Sequence, residues 1–493
     1  MTVTVLVPTS AFEVVAMQKS ALTRREFFYQ SGSAVLAAAA ALSIPGCLPG
    51  SRSKHAADIT LNYRGRKPNI IFILADDLGY GDIGCYGQKM IKTPNIDRMA
   101  AEGVRFTQAY AGTAVCAPSR CCLMTGMDNG HTTIRGNISP AVPLKPEDIT
   151  VAEVLKSAGY KTRTIGKWGL GLENSSGTPD KKGFDEFFGY INQTLAHNYY
   201  PETLWRNNEK IVIEENLSGK KGTYSHDLFE KEALDFISRH KFEPFFLYLS
   251  LTLPHANNEL GTKTGNGMEV PDYGQYAKEN WSDPAKGYAA MITRMDDCVG
   301  KVLAELKTHG IDDNTIVFFT GDNGAGREGG YDPRFFNSSG PLRGIKRDLY
   351  EGGIREPMIA RWPGHIKAGT TSDQIWAFWD FLPTAADIAD VKAPAGIDGI
   401  SMLPALLGKP QQDHKYLYWE LHEKGKFSQA VRMGDWKAVR LDIDKPIELY
   451  DIKNDLGETK NVAEQHPEIV AEMAEIMKTA RTESPLWPIK KKP

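Results

Sequence analysis

The sequence predicts an α/β fold on a large, mostly parallel sheet, followed by a small antiparallel sheet with a terminal helix. Three observations carry this. The runs NIIFILA from Asn69, FFLYLSLTLP before His255 and NTIVFFTG before Asp322 are apolar almost without a break, as strands buried on both faces of a parallel sheet are. Segments with helical signals alternate with these runs, the order an α/β fold requires. Near residue 408 the pattern changes to short strands with tight turns, then one amphipathic helix.

From the N-terminus, residues 22–47 read LTRREFFYQSGSAVLAAAAALSIPGC, with Arg24 and Arg25 ahead of an apolar run over 33–44. That run is shorter than the roughly 20 apolar residues a membrane span needs. Twin arginines, a moderate apolar stretch and then small residues read as a twin-arginine export signal over 1–47. The reading predicts an exported protein, periplasmic or at the outer surface. Cys47 is a candidate lipid-anchor site, and Met17 a candidate start, since residues 1–16 carry no positive charge. Residues 48–66 are polar and basic and read as a linker. Residues 67–407 form the main domain and 408–493 a C-terminal subdomain.

Within the main domain, TPNIDRMAAEGV places Pro94 near a helix start and Gly103 near its end. RFTQAYA follows as a strand. TVAEVLKSAGY is a helix stopped by Gly159, KTRTIGKW a strand, and GYAAMITRMDDCVGKVLAELKTHG a long helix with an apolar face. In the C-terminal part, QAVRMGDWKAVRLDIDKPIELYDI gives short strands and NVAEQHPEIVAEMAEIMKTA the closing helix. The net charge of −3 lacks the basic excess of a nucleic-acid binder.

Three of the six cysteines crowd into 116-CAPSRCCLMTG-126. Neighbouring cysteines such as Cys121 and Cys122 rarely bond each other, and the spacing lacks the paired CxxC of a zinc site. Pro118 and Ser119 predict a helix start with Pro at its first position. That places Cys116 just before a helix N-terminus, where anions and thiolates are favoured. Arg120 offers a forked set of donors nearby, while Cys121 and Cys122 suit the core.

Open α/β sheets bind ligands beyond the carboxyl ends of their strands. Asp76 and Asp77 follow one apolar strand and Asp322 and Asn323 another; Lys167 and His255 follow two more. Acid pairs and Asp-Asn-Gly are common turns, but four oxygen-bearing side chains at two such strand ends suit a hard cation, Ca²⁺ or Mg²⁺.

CAPSRCCLMTG resembles the sulfatase signature C-x-P-S-R-x-x-L-x-T-G at every fixed position. ADD at 75–77, GKW at 166–168, PH at 254–255, GDNG at 321–324 and LRGIKRDLYEGGIREP at 342–357 follow in the family's order, and ELYDIKNDLGETKN is similar to its closing sheet. The resemblance covers roughly residues 67 to 480. It implies an alkaline-phosphatase-like sandwich and a formylglycine-dependent, arylsulfatase-type hydrolase of sulfate esters. By resemblance, Cys116 is oxidised before export by a formylglycine-generating or sulfatase-maturing enzyme to 3-oxoalanine (formylglycine), which hydrates to a gem-diol. Asp76, Asp77, Asp322 and Asn323 match the calcium ligands, with residue 116 completing the shell. Arg120 matches the residue that helps hold the gem-diol, Lys167 and Lys346 those that clamp the sulfate, and His255 the acid that protonates the leaving alcohol. Cation, lysines and arginine together neutralise an anionic group under attack.

The chain departs from the family at one place. It reads GKWGLG where many members read GKWHLG, so Gly169 stands where a His is thought to deprotonate the second hydroxyl. His197, in TLAHNYY, is the candidate base in its stead. The outer pocket wall is expected from loops 191–224 and 256–286, facing a sulfated carbohydrate or aryl sulfate. Two other readings share these residues: a phosphonate monoester or phosphodiester hydrolase of the same superfamily, and a non-catalytic exported binder of sulfated glycans.

Overall fold

Burial on both faces explains the apolar strands. In the computed structural model, which describes residues 66–423 and 425–489, all seven residues of strand β1 (Asn69–Ala75) are buried. Ile70, Phe72 and Leu74 enter one hydrophobic core and Ile71, Ile73 and Ala75 the other. The two-residue period of a strand thus feeds two cores at once. The main sheet continues with β2 (Val104–Tyr110), β3 (Lys161–Lys167), β4 (Glu186–Tyr190), β5 (Thr203–Arg206), β6 (Glu209–Val212), β7 (Phe245–Ser250), β8 (Thr315–Gly321), β9 (Arg355–Arg361), β10 (Thr370–Ser372) and β11 (Trp376–Ala377). Their order is β10-β2-β9-β8-β1-β7-β3-β4-β5-β6, with β11 beside β2.

The centre, β8-β1-β7-β3-β4, is parallel. The flanks are antiparallel where β9 meets β8 and β2, and where β4, β5 and β6 pair. Helices Cys116–Thr125, Val151–Ser157 and Phe381–Ile388 pack through Leu123, Leu155 and Phe381 on one face. Helices Pro94–Ala101, Ser225–His240 and Asp283–Thr308 pack through Met99, Phe229 and Met295 on the other. This is the large sandwich the sequence predicts.

The β5–β6 hairpin lies inside the stretch read as pocket loop. Its signal is the dipeptide Asn207-Asn208 between the strands, with Asn207 at φ 54°, a geometry that hairpin turns favour and asparagine tolerates.

The second sheet is antiparallel, β12 (Leu417–Glu423), β13 (Lys426–Met433), β14 (Trp436–Arg440) and β15 (Glu448–Asp451) in sequence order. The sequence pattern gave no warning of β12. Helix Pro467–Thr479 buries Met473 and Met477 against Tyr418, Val431, Ala438 and Leu449. The stretch read as export signal, Cys47, and linker residues up to 65 lie outside the described residues. Among the described residues no helix is long and apolar enough to cross a membrane.

A buried ionic network ties the two sheets. Lys437 Nζ of β14 lies 2.8 Å from Glu351 Oε1 and 3.2 Å from Glu458 Oε1. Glu351 Oε2 accepts from Arg355 Nη1 at 3.0 Å and Tyr110 Oη at 2.8 Å. Burial alone would raise the Glu351 carboxyl, but Lys437, Arg355 and Arg432 override it and hold it well below the usual range. A depressed carboxylate contributes stability above its unfolded value of about 4.3, and that contribution is lost as pH falls. Breaking a buried pair by removing one partner costs about 3–5 kcal/mol. Lys437→Met is therefore expected to lower urea-unfolding stability by about that much at neutral pH, and to flatten the loss of stability on acidification.

Candidate active site

The parallel register gathers the polar residues. β1 pairs with β8 from Asn69↔Thr315 to Ala75↔Gly321, so Asp76-Asp77 and Asp322-Asn323 emerge side by side. β7 and β3 lie next in order, bringing His255 and Lys167 to the same edge.

The helix carrying the cysteines begins at Cys116, not at Pro118. Cys116 is therefore its first residue rather than the one before it. Pro118 falls within the first turn, where the missing N–H has no helical partner to lose. Gly126, at φ 71°, ends the helix and donates its N–H to Cys122 O at 3.0 Å. Cys121 and Cys122 are fully buried in the core. Burial pushes the Cys121 thiol up to about 12 and that of Cys122 well above its ordinary value. Ser119 Oγ accepts from Gly112 N at 3.0 Å and donates to Asp322 O at 2.6 Å, locking the helix start to the end of β8.

Arg120 has no exposed surface. Its Nε and Nη2 fork onto Asp322 Oδ2 at 2.9 and 2.8 Å. Nη1 donates to Lys167 O at 2.9 Å and to Ser250 Oγ. The guanidinium thus orients a strand-end carboxylate and the backbone of β3.

Lys167 Nζ donates to Asp76 Oδ2 at 2.7 Å. Lys346 Nζ donates to Asp77 Oδ2 at 2.6 Å and lies 3.1 Å from His255 Nε2. Asp77, at φ 63°, takes Asn323 Nδ2 on Oδ1 at 2.8 Å and gives its N–H to Asp322 Oδ1 at 3.1 Å. Burial would raise Asp76, but Lys167, His255 and Arg120 hold it far below the carboxylate range. Burial and the Asp76 charge push Asp322 up to about 7; burial also raises Asp77.

Crowding of carboxylates is what a divalent ion relieves. Asp76 Oδ1 and Asn323 Oδ1 are buried with no hydrogen-bond partner, and Asp76, Asp322 and Cys116 offer ligand atoms within 4.8 Å of one another. Unsatisfied oxygens beside two further carboxylates form a donor set that fits a hard cation.

His255 is 2% exposed. Its Nδ1 faces Ala256 O at 2.7 Å, which fixes the tautomer with Nε2 toward Lys346. Burial and the Lys346 charge push it down to about 3. His197 stacks on His255, ring centroids 4.7 Å apart, and its Nδ1 reaches Glu259 at 3.2 Å. His197 also lines the cavity that Cys116 lines. Among the described residues, the Cys116 sulfur is hydrogen-bonded to Gln193 and Asn137.

The site opens into a cavity of about 720 Å³. Of the expected walls, residues 192–195, His197 and Asn258 line it. Ile134, residues 136–142, Arg347 and Glu423 also line it, and sequence reasoning missed all of these. Glu328, 3.9 Å from Lys346 and paired with Arg347, was missed too.

A mostly parallel sandwich that gathers oxygen donors suited to a hard cation at its strand ends, beside the buried Lys167 and Lys346, fits a hydrolase of anionic esters. The chain belongs to the sulfatase family, the sulfuric ester hydrolases: the Sulfatase profile matches residues 68–391, and that of the N-sulphoglucosamine sulphohydrolase C-terminal region residues 345–483. It is 36% identical over 401 residues to N-acetylgalactosamine-6-sulfatase of Rattus norvegicus, covering 75% of this chain and 71% of the relative. It is 31% identical over 519 residues to N-acetylgalactosamine-6-O-sulfatase of Bacteroides thetaiotaomicron, covering 89% and 98%. The crystal structure of Ps i-CgsB with k-i-k-neocarrahexaose superposes with a TM-score of 0.74 at 30% identity, covering 86% of this chain and 95% of that one. BT4656 with D-glucosamine-2-N,6-O-disulfate gives 0.64 at 25%, covering 84% and 97%. These neighbours share the alkaline-phosphatase-like fold that the resemblance implied.

The serine of the signature has a structural duty of its own. Leaving a buried N–H unsatisfied costs about 1–3 kcal/mol, so Ser119→Ala is expected to lower stability by about 2 kcal/mol, read as a shifted urea midpoint with an unchanged slope.

Proposed function

We propose that this sulfatase removes sulfate esters from sulfated carbohydrates, using residue 116 after its conversion to formylglycine, with a bound divalent cation. The observation that carries the reading is the meeting of Cys116, four cation-suited oxygen side chains and two buried lysines at one sheet edge. The relatives named N-acetylgalactosamine-6-sulfatases, and the solved neighbours holding k-i-k-neocarrahexaose and D-glucosamine-2-N,6-O-disulfate, support a carbohydrate substrate.

Asp76, Asp77, Asp322 and Asn323 would hold the cation, Ca²⁺ or Mg²⁺, which acts as a Lewis acid on sulfate oxygens. The hydrated aldehyde would supply one hydroxyl to attack sulfur and a second whose deprotonation releases sulfate. Lys167 and Lys346 bring fixed positive charge to the same place without reorganisation, which stabilises charge growing in the transition state. Arg120 keeps Asp322 aimed. His255 offers Nε2 to the leaving oxygen. Its low proton affinity comes from burial beside Lys346, and a sulfate dianion or ester bound there restores that affinity. His197 and Glu259 support the same imidazole from behind. Maturation of the unfolded chain by a formylglycine-generating enzyme, followed by export of the folded product, accounts for the twin arginines; the same reading keeps Cys47 as a candidate lipid anchor and the periplasm or outer surface as the destination.

The test combines three readings on protein from a host that matures sulfatases. The tryptic peptide following Arg105 should carry the aldehyde at position 116. Hydrolysis of 4-nitrophenyl sulfate should exceed that of the matching phosphate and phosphonate. Chelation should abolish it and lower the melting temperature, with Ca²⁺ restoring both. An intact thiol in active protein, or turnover that survives chelation, rejects the proposal.

His255 should matter most where the leaving alcohol is poor. His255→Ala is expected to slow a sugar sulfate about 10²–10⁴-fold, and 4-nitrophenyl sulfate much less, since its leaving group needs little protonation. Equal losses on both substrates would remove His255 as the acid.

A further inference from the structure

Gly169 lines the same cavity as Cys116, Asn137 and Gln193. Its φ is 76°, and a Cβ built there would lie 3.3 Å from Gln193 Cγ and 3.6 Å from its Cδ. A side chain at 169 would therefore start against the Gln193 side chain. Backbone bonds hold the two segments together: Trp168 N donates to Tyr190 O at 3.0 Å and Gly169 N to Ile191 O at 3.1 Å. Gln193 Oε1 accepts from Cys116 Sγ at 2.7 Å. Its Nε2 donates to Asn137 Oδ1 at 2.9 Å, and Asn137 Nδ2 lies 3.6 Å from the same sulfur. The two amides fix each other, and both face whatever atom is carried by the Cβ of residue 116.

We infer that Gln193, steered by Asn137, is the positioning residue for the side chain of residue 116, entering from loop 191–194 into space left by Gly169. The inference rests on the proposed conversion of Cys116. A neutral amide accepts a hydrogen bond but takes no proton at working pH. Gln193 therefore orients the hydroxyl that does not attack and leaves its proton to pocket water. For sulfate to leave residue 116, the O–H electrons of that hydroxyl become the carbonyl bond, the carbon–oxygen electrons depart with sulfate, and the proton passes to water. Losing the acceptor slows this release more than it weakens substrate binding.

The experiment compares matured wild type with Gln193→Ala and Gln193→Glu on an aryl sulfate. A lost hydrogen bond of this kind is worth about a factor of ten. Gln193→Ala should lower kcat about tenfold with little change in KM, and raise the fraction of acid-quenched peptide that keeps sulfate on residue 116. Gln193→Glu, which can both accept and take a proton, should recover part of kcat and add a limb that rises with pH as the carboxylate ionises. Unchanged kcat and retained sulfate in Gln193→Ala, or a loss confined to KM, overturns the role. If matured wild-type peptide shows no aldehyde, the functional reading has failed instead. The contact is then read on the thiol itself: Gln193→Ala should speed alkylation of Cys116 about tenfold, and equal rates overturn it.

Discussion

The Arg120 guanidinium is the joint on which the site depends. It leaves the helix that carries Cys116, forks onto Asp322 at the end of β8, and reaches the carbonyl of Lys167 at the end of β3. One side chain thus couples the helix of Cys116 to two strand ends that are not neighbours in the sheet. A fully buried cation is costly unless every donor is engaged, so the geometry tolerates little slack. Ser119 repeats the tie one residue earlier, on the backbone. The three side chains Cys116, Ser119 and Arg120 act from one short helix because its first turns point at the strand edge.

Charge balance explains why so many ionisable groups survive burial together. Each carboxylate of the cluster meets a lysine, an arginine or an amide, and each cation meets a carboxylate. The sharing is uneven: Asp76 is held ionised while Asp322 is pushed toward neutrality. A set poised in this way responds strongly to one added divalent charge or one added anion. A divalent cation and a sulfate ester, were both bound there, would be coupled by Coulomb attraction in a medium of low polarity.

Much of this was legible in the sequence, for physical reasons. A strand buried on both faces must be apolar throughout, so Asp76 and Asp322 announce strand ends simply by ending the run. The CAPSRCC stretch combines a helix-start signal at Pro118 and Ser119 with Cys116 and Arg120 on the same turns. What escaped notice depends on tertiary approach. Asn137 and Gln193 are ordinary loop amides until two distant loops bring them to one sulfur. Residues 134–142 have no periodicity to betray a pocket wall. Strand β12 is masked by mixed polar residues, because Glu420 is buried against Arg135 and Arg481 rather than exposed. The base reading of His197 rests on the His missing at Gly169, and its stacking on His255 could not be read from two residues far apart in sequence. The one usable clue to Gln193 was the glycine at 169, a missing side chain beside a reactive one.

Glu423 sits at the last residue of β12, pairs with Arg347 next to Lys346, and borders the cavity. The C-terminal sheet is therefore part of the reaction chamber's wall, not an appendage bolted to its outside. A boundary drawn at residue 407 divides the polypeptide but cuts across the chamber. Exchanging that sheet between related sulfatases would consequently be a way to retune which sugars are admitted, without touching Asp76, Asp77, Asp322, Asn323 or Cys116.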